Sequence, residues 1–534
     1  MEFSRAKIGF FLLCIGIISI VLKISLVNFS LPIINDDLQY ALHSFSYMSG
    51  DNSLIAKKSP GWPLFLSFFY NFLNEDNFLA YSNLSRSLSI VVSTLAIIPM
   101  YLLARKFFNQ KYSIVASTLL AFEPHINFRA GFGFADSLFL PLVILSIYFI
   151  LNKNNKLTFL SFIFAALTWW VRPEGIIILF PITIVFFLLN KKSKKLIPKY
   201  VLCIFIFILI SSPFLIQRNE QFGDPLYFYY NDHLFVDDYI ENGLENDNNS
   251  AYDFIEREGI AHFIDTFLIN GVSNVLEQTL RLSFPYILIL FPFGMLFSLR
   301  AFDQDHLYIK SNWIIFITYA AFMIIPLAVI NERRFLFALL PPLIIFSVIP
   351  IQRLVEYGLS TFSFSNRQKN VFLVIILIII LLLSGLFMLR YELKDPNEEY
   401  EKMEFANFLA HDLHGIILNP TNRTFEHGYF YYSKLDTPPE NFRNFQLSDP
   451  YVTLSGNRVL IMEGTNFDDI INNAKSLKAK YLLVDENNGL DSLDDLFYER
   501  YDYPFLTKIY DTKQQGMERI TIKVFEINYE KLTP

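Results

Sequence analysis

The chain has 534 residues and a formal net charge of -7; 53% of its residues are hydrophobic and only 18% are charged. A soluble protein carries about 25% charged residues, so this composition excludes an ordinary soluble enzyme and indicates a membrane protein. The chain has no basic face large enough to follow a phosphate backbone, which excludes a nucleic-acid-binding protein. The two cysteines, Cys14 and Cys203, both lie inside apolar segments. Neither a disulfide framework nor a thiolate metal site is therefore expected.

Candidate membrane spans follow one another along the first three quarters of the chain, each approaching the roughly 20 residues that cross a bilayer as a helix. They are segments 8–27, 81–104, 112–124, 134–151, 157–171, 175–190, 199–216, 284–300, 312–330, 335–351 and 370–390. The shorter run 60–73 begins with Pro60 and is predicted to lie in the membrane interface or to re-enter it. The expected fold class is an α-helical polytopic membrane protein with about 11 transmembrane helices.

Basic residues are concentrated in the loops of one side, most densely at Lys191–Lys195. Such loops remain in the cytoplasm, so the N-terminus is predicted to be cytoplasmic. The loops 28–80 and 217–283 then lie on the outer side. The second of these loops is acidic between residues 237 and 247, and we expect it to form interface helices that cover a site.

The composition changes abruptly after Arg390. Residues 1–390 form the predicted transmembrane domain, and residues 391–534 have the polarity of a soluble protein. Within the second part, strand-like runs occupy 458–462, 480–485 and 521–527, and a helical run occupies 468–478. We therefore predict a soluble C-terminal α/β domain, and eleven crossings place it outside the cytoplasm.

Polar residues from many separate segments fall on the outer side in this topology. The acidic pair Asp36 and Asp37 directly follows the first span and precedes Tyr40. Charged groups close to lipid are costly and usually functional, so this pair calls for a chemical role. The other outer candidates are Lys58, His125, Asp136, Arg172, Arg218 and Arg333. Their convergence on one side predicts a site there.

Five short motifs occur in a characteristic order. They are Asp36-Asp37-Leu-Gln-Tyr40 with Lys58-Ser-Pro60, Phe122-Glu-Pro-His125 with Ala135-Asp136-Ser137, Val171-Arg-Pro-Glu-Gly175, Arg218 with Phe222-Gly-Asp-Pro-Leu226, and Asn331-Glu-Arg-Arg-Phe335. Over residues 1–390 this order resembles the GT-C superfamily of membrane glycosyltransferases. Within it, the protein O-mannosyltransferase (dolichyl-phosphate-mannose-protein mannosyltransferase) and aminoarabinose-transferase-like families are the most similar. The C-terminal part lacks a Trp-Trp-Asp motif, which disfavours the oligosaccharyltransferase branch.

The resemblance implies a glycosyltransferase, here a hexosyltransferase, that uses a polyprenyl- or dolichyl-phosphate sugar as donor. The acceptor would be a protein, a lipid or a glycan at the outer membrane face. The family assigns its first acidic residue as catalytic base, which corresponds to Asp36, because a carboxylate can take the acceptor's proton. Asp37 and Asp136 would take further catalytic roles. The alternative for all three is that they cap the helices that follow, since Asp is a favoured N-cap residue.

The leaving lipid phosphate develops charge that fixed cations would stabilise. Candidates for this role are Lys58, Arg172, Arg218 and Arg333, and the further candidate substrate contacts are Tyr40 and His125. The alternative for the cations is that they extend towards the lipid headgroups. The resemblance assigns no cofactor; a divalent metal, if used, would be bound by Asp36, Asp136 and His125.

Two rival functions remain at the level of sequence. A transporter or flippase of a lipid-linked or anionic solute would place charges at mid-span and use repeated halves. Most charges here lie at loop edges, which favours the enzyme; Lys23 is the nearest exception and is expected to extend to the interface. A scaffold that merely carries the C-terminal domain would leave the acidic pair unexplained.

Overall fold

The computed structural model describes residues 4–50, 58–73, 77–152, 157–191, 194–227, 235, 250–300, 304–391, 395–420, 427–435, 458–461, 466–486 and 491–532. The acidic segment predicted over 237–247 lies outside these residues. The protein is mostly helical, as predicted.

Helices dominate up to Tyr391, and each of the predicted spans contains one. Their bounds are Arg5–Ser25, Asp36–Ser49, Gly61–Tyr70, Phe78–Leu95, Ile97–Ala104, Gln110–Ala121, Pro124–Ala130, Asp136–Ile150, Thr158–Val171, Pro173–Ile178 (3₁₀), Leu179–Asn190, Leu196–Phe222, Ala251–Glu258, Ile260–Phe263, Ile264–Ile269 (π), Asn270–Ser283, Ile287–Ser298, His306–Phe322, Ile324–Val329, Arg333–Leu339 (3₁₀), Leu340–Arg353, Leu354–Gly358 (π), Leu359–Thr361 and Asn366–Tyr391.

Several of these helices are too short to cross a bilayer alone. Among the described residues, six helices are long and apolar enough to span, or seven if Ile260–Ser283 and Ile287–Ser298, bent by 112°, form one span. Asp136–Ile150 and Thr158–Val171 fall short, at 15 and 14 residues. The protein is an integral membrane protein, and the count of about 11 crossings stays a prediction.

The chain divides into two compact units. The first contains residues 1–27, 56–65 and 85–393, and the second contains residues 28–55, 66–84 and 394–534. The segment with the acidic pair therefore belongs to the same compact unit as the C-terminal part of the chain.

Within the first unit, helices pack through small residues and hydroxyl groups. Ser146 Oγ donates to the carbonyl of Ser161 at 3.0 Å, and Ser161 Oγ donates back to the carbonyl of Ser146 at 2.7 Å. Gly294 lies so close to the main chain of Phe346 that a β-carbon would overlap it. Such contacts hold helices together in lipid, where apolar burial alone gives no preference for a protein neighbour.

Lys23 does not extend to the interface, contrary to expectation. Its side chain is 1% exposed, and its Nζ donates to Ser19 Oγ at 2.9 Å and to Thr94 Oγ1 at 3.0 Å. Because these two hydroxyls satisfy the amine inside the helix packing, the lysine joins the first helix to the Phe78–Leu95 helix.

In the part of the second unit that the structure describes, the strands form a mixed five-stranded sheet. The strands are β1 Ile416–Asn419, β2 Arg458–Ile461, β3 Tyr481–Asp485, β4 Leu506–Asp511 and β5 Ile522–Ile527, in the order β2-β1-β3-β5-β4. β1 runs parallel to β2 and β3, and β5 runs antiparallel to β3 and β4. Among the described residues after 394, the helices are Pro396–His411, His427–Leu435, Phe467–Ser476, Asp491–Phe497 and Tyr529–Lys531 (3₁₀).

The central strand β3 is buried at every position, which fits its continuous apolar run. One core cluster contains Phe405, Leu409 and Phe430, and another contains Ile470, Leu482 and Phe525. The strands expected at 458–462, 480–485 and 521–527 are present at those places, and the helix expected at 468–478 is Phe467–Ser476.

Candidate active site

The acidic pair opens the Asp36–Ser49 helix. Asn35 holds the N-cap position and makes no side-chain capping bond, and both aspartates lie in the first turn. Asp36 is half-buried and Asp37 is 2% exposed. The helix dipole favours carboxylates in the first turn. Because Asn35 is the N-cap residue, the alternative that Asp36 or Asp37 caps the helix does not match this geometry. Tyr40 follows one turn later and is buried.

Arg172 lies at a sharp break between the Thr158–Val171 helix and the 3₁₀ turn Pro173–Ile178. Its backbone is extended, at φ -147° and ψ 141°. The chain then turns back so tightly that a β-carbon on Gly175 would overlap the main chain of Thr168. The proline cannot continue the helix, and the glycine permits the close approach. The Arg-Pro-Glu-Gly run therefore builds a turn that directs Arg172 and Glu174 to one place.

Arg172 forms buried ion pairs with two carboxylates. Its Nη1 donates to Asp136 Oδ1 and its Nε donates to Glu174 Oε1. All three side chains are at most 7% exposed. The guanidinium also lies over the Phe335 ring at 5.3 Å. A buried carboxylate needs a cation beside it, and here one arginine serves two.

A second arginine approaches the same aspartate. Arg129 Nη1 is 4.0 Å from Asp136 Oδ2. Among the described residues, Asp136 Oδ2 and Glu174 Oε2 are buried without a hydrogen-bond partner. The four side chains carry two positive and two negative charges, so the cluster is neutral overall. Asp136 begins its helix as a first-turn residue after Ala135, so it is not the N-cap that the alternative reading expected.

Arg218 and Lys58 are brought together. Arg218 Nη2 donates to the main-chain carbonyl of Lys58 at 2.7 Å, and Arg218 is only 3% exposed. The guanidinium lies 5.1 Å from the ring centroid of Phe214 and 5.3 Å from that of Phe222. The buried arginine therefore holds the main chain at Lys58 in place. The side chain of Lys58 is half-buried.

The first residues of the helix that follows Lys58 pack within the first unit. A β-carbon on Gly61 would lie 2.7 Å from the main chain of Trp170. The indole of Trp62 donates to the carbonyl of Gly133 at 2.7 Å. This arrangement ties the turn at Lys58 to the segments that carry Asp136 and Arg172.

Arg333 begins the 3₁₀ turn Arg333–Leu339 and is half-buried. Its neighbour Arg334 forms an ion pair with Glu332.

Two of the predicted metal ligands, His125 and Asp136, are engaged by other protein groups. His125 Nε2 lies 3.0 Å from the carbonyl oxygen of Arg281, and one oxygen of Asp136 is bonded to Arg172. No group of three His, Cys, Asp or Glu side chains within the described ranges could hold an ion.

Three residues of this region were not among the sequence candidates. Glu174 and Arg129 complete the cluster around Arg172 and Asp136, and Glu123 caps the Pro124–Ala130 helix by accepting from the amides of His125 and Ile126. Glu174 had a signal, because an acid two residues after an arginine at a helix break can pair with it. For Arg129, the sequence gave only its place on the predicted outer side and no partner.

Comparison with known families gives one match in sequence. The family described as dolichyl-phosphate-mannose-protein mannosyltransferase matches residues 57–216. This stretch carries Lys58, Asp136, Arg172 and Glu174. A search of curated proteins found no match.

Solved structures give further matches in fold. The Archaeoglobus fulgidus oligosaccharyltransferase in the apo form has a TM-score of 0.56 at 14% identity, over 90% of this chain and 70% of that one. The same organism's AglB, in complex with an inhibitory peptide and a dolichol-phosphate, has a TM-score of 0.52 at 13% identity, over 99% and 75%.

ArnT from Cupriavidus metallidurans, bound to undecaprenyl phosphate, has a TM-score of 0.55 at 12% identity, and the match covers 99% of this chain and 100% of that one. At these identities the likeness concerns the fold, and the family match covers part of the chain. Together they confirm the resemblance that the motifs indicated: this chain has the fold of the GT-C superfamily of membrane glycosyltransferases.

Proposed function

We propose that this protein transfers a sugar from a polyprenyl-phosphate-linked donor to a hydroxyl acceptor at the outer membrane face. One observation carries the proposal: the mannosyltransferase family match covers residues 57–216, which include Lys58 and the buried cluster of Asp136, Arg172 and Glu174. Two structural neighbours were solved with dolichol-phosphate or undecaprenyl phosphate, which supports a donor of that class. The acceptor is a protein, a lipid or a glycan.

The proposed reaction is a single displacement with inversion. The acceptor oxygen attacks C1 of the sugar while Asp36 takes the hydroxyl proton. The bond between C1 and the phosphate oxygen breaks, and the polyprenyl phosphate leaves with the electron pair. Lys58, Arg218 and Arg333 stabilise the charge that develops on this phosphate.

Arg172 takes a different role in this proposal from the other cations. Its Nη1 and Nε hydrogen bonds are both committed to carboxylates. We assign it the positioning of Asp136 and Glu174. Asp37 and Tyr40 support the start of the Asp36–Ser49 helix beside the proposed base.

The phosphate assignment gives a prediction for Lys58 and Arg218. Lys58→Ala removes a contact that strengthens as the phosphate leaves, which typically costs about 2–4 kcal/mol of transition-state stabilisation, or roughly 30- to 1,000-fold in rate. Arg218→Lys keeps the charge but loses the planar guanidinium, so transfer should fall while the charge is unchanged. Steady-state rates with purified protein in detergent measure both effects. Wild-type rates in both variants would mean that Lys58 and Arg218 do not stabilise the leaving phosphate.

The test of the function itself is a transfer assay. Purified protein is incubated with radiolabelled polyprenyl-phosphate hexoses and with peptide, lipid or glycan acceptors, and the label is followed. We expect label to move from the lipid phosphate to one acceptor class. Movement of intact labelled lipid across vesicles without transfer would instead support the transporter alternative.

The proposed topology places residues 391–534 outside the cytoplasm and the loop at Lys191–Lys195 inside. Ser476 and Lys194 are both exposed, which makes them a matched pair for labelling. On intact cells a cysteine introduced by Ser476→Cys should react with an impermeant maleimide, and one introduced by Lys194→Cys should react only after permeabilisation. The opposite pattern would place the proposed site on the cytoplasmic side.

A further inference from the structure

Gly428 lies directly against the residues that precede the acidic pair. It belongs to the His427–Leu435 helix, in the same compact unit as residues 28–55. A β-carbon at this position would lie 2.6 Å from Ile34 Cβ, 2.8 Å from Asn35 Oδ1 and 3.0 Å from Asn35 N. Real β-carbons do not approach atoms this closely, so only glycine allows this contact.

Asn35 has an unusual backbone at this point of contact. Its φ is 57° and its ψ is -127°, outside the regions that residues with a side chain commonly occupy. Such a conformation costs of order 1–3 kcal/mol and persists only where the surroundings impose it. The very next residue is Asp36, so the conformation of Asn35 sets the direction in which the helix with the acidic pair begins.

The same C-terminal helix is also linked to the acidic helix through an intervening aromatic ring. Ile34 is part of the core cluster that contains Phe405 and Phe430. The Tyr432 ring lies 5.8 Å from the Phe78 ring, which in turn lies 6.2 Å from Phe45 of the Asp36–Ser49 helix. Residues 427–435 therefore contact the two residues that precede the acidic helix, and they reach Phe45 of that helix only through the Phe78 ring.

We propose that the His427–Leu435 helix, through the close contact of Gly428 with Ile34 and Asn35, positions Asp36 and Asp37 for transfer. The inference rests on the proposed function in so far as Asp36 is the base. Gly428 is a positioning residue, since it has no side chain and acts through Asn35. This gives the C-terminal part of the chain a role in the reaction: it sets the geometry of a carboxylate that lies almost 400 residues earlier.

The first measurement needs no substrate. Gly428→Ala adds one methyl group and makes the helix intrinsically more favourable, yet forces Ile34 and Asn35 to move. Hydrogen–deuterium exchange of the full-length protein should therefore increase in peptides covering residues 31–45. The matched control is Ser433→Ala in the same helix, a buried residue whose hydroxyl has no hydrogen-bond partner among the described residues. A second control is Gly385→Ala, where a β-carbon meets nothing within 4 Å. Unchanged exchange at 31–45 in Gly428→Ala would overturn the inference whether or not the protein transfers sugar.

The second measurement uses the transfer assay, once wild-type activity is established. A misplacement of about 1 Å at a reacting group can cost about 100-fold, so Gly428→Ala should lower kcat by roughly 10- to 100-fold and leave the KM for the donor lipid unchanged. Adding Asn35→Gly removes the Oδ1 contact and tolerates positive φ, and it should restore part of kcat. Two results would mean that Gly428 is only a packing residue. One is that both controls lose as much kcat and melting temperature as Gly428→Ala does, and the other is that Asn35→Gly restores no kcat. If wild type itself transfers no sugar, the proposed function fails and the exchange result still decides the inference.

Discussion

Replacing Asp36 by Asn should almost abolish sugar transfer while leaving the protein folded. Asn has the same size but cannot accept the acceptor's proton, and loss of a general base typically costs about 100- to 10,000-fold in rate. The N-cap position of this helix belongs to Asn35, so the substitution removes no cap. It removes one first-turn charge, worth about 0.3–1 kcal/mol. Single-turnover transfer and thermal unfolding of the same preparation measure the two effects.

Asp37→Asn is the matched comparison for this experiment. Asp37 is the next residue of the same turn but is 2% exposed, whereas Asp36 is half-buried. We expect Asp37→Asn to reduce transfer less than Asp36→Asn, and both variants to bind donor lipid as wild type does. An Asp36→Asn protein that retains full activity would contradict the proposed mechanism, because Asp36 would then not be the base. The acidic pair would only interact favourably with the helix dipole.

Replacing Arg172 by Ala should unfold or severely destabilise the protein. The substitution leaves Asp136 and Glu174 buried with the cation between them removed, and breaking a buried ion pair by removing one partner costs about 3–5 kcal/mol. Arg129, at 4.0 Å from Asp136, can offset part of this for one carboxylate and not the other. The drop in melting temperature in detergent, together with the yield of monodisperse protein, measures the loss.

The cause of this loss can be separated from loss of packing. A triple variant, Arg172→Met with Asp136→Asn and Glu174→Gln, removes all three charges together and should recover most of the stability, although we expect it to transfer no sugar. Arg257→Ala is the surface control, because Arg257 pairs with Glu258 at 45% exposure and such pairs are worth about 0–1 kcal/mol. An Arg172→Ala protein as stable as wild type would mean that the two carboxylates are neutral or hydrated.

The sequence by itself determined the helical membrane class, the GT-C resemblance and the strands of the C-terminal part. These follow from local patterns: apolar runs, basic loops, short motifs and the continuous apolar run of β3. The acidic pair and Lys58 were recognisable because charged residues are costly beside lipid. The number of crossings was not determined in the same way, because helices such as Asp136–Ile150 are shorter than the apolar segments that suggested spans.

The tertiary structure alone decided which charged groups meet. Arg172 joins Asp136 across 36 residues, Arg218 holds the carbonyl of Lys58 across 160, and Gly428 contacts Asn35 from the far end of the chain. Local sequence patterns report the period and polarity of a segment and do not report its neighbours. The sequence therefore did not show that a glycine allows two segments to approach closely, or that one arginine neutralises two acids. Both depend on distances that the packing of the helices sets.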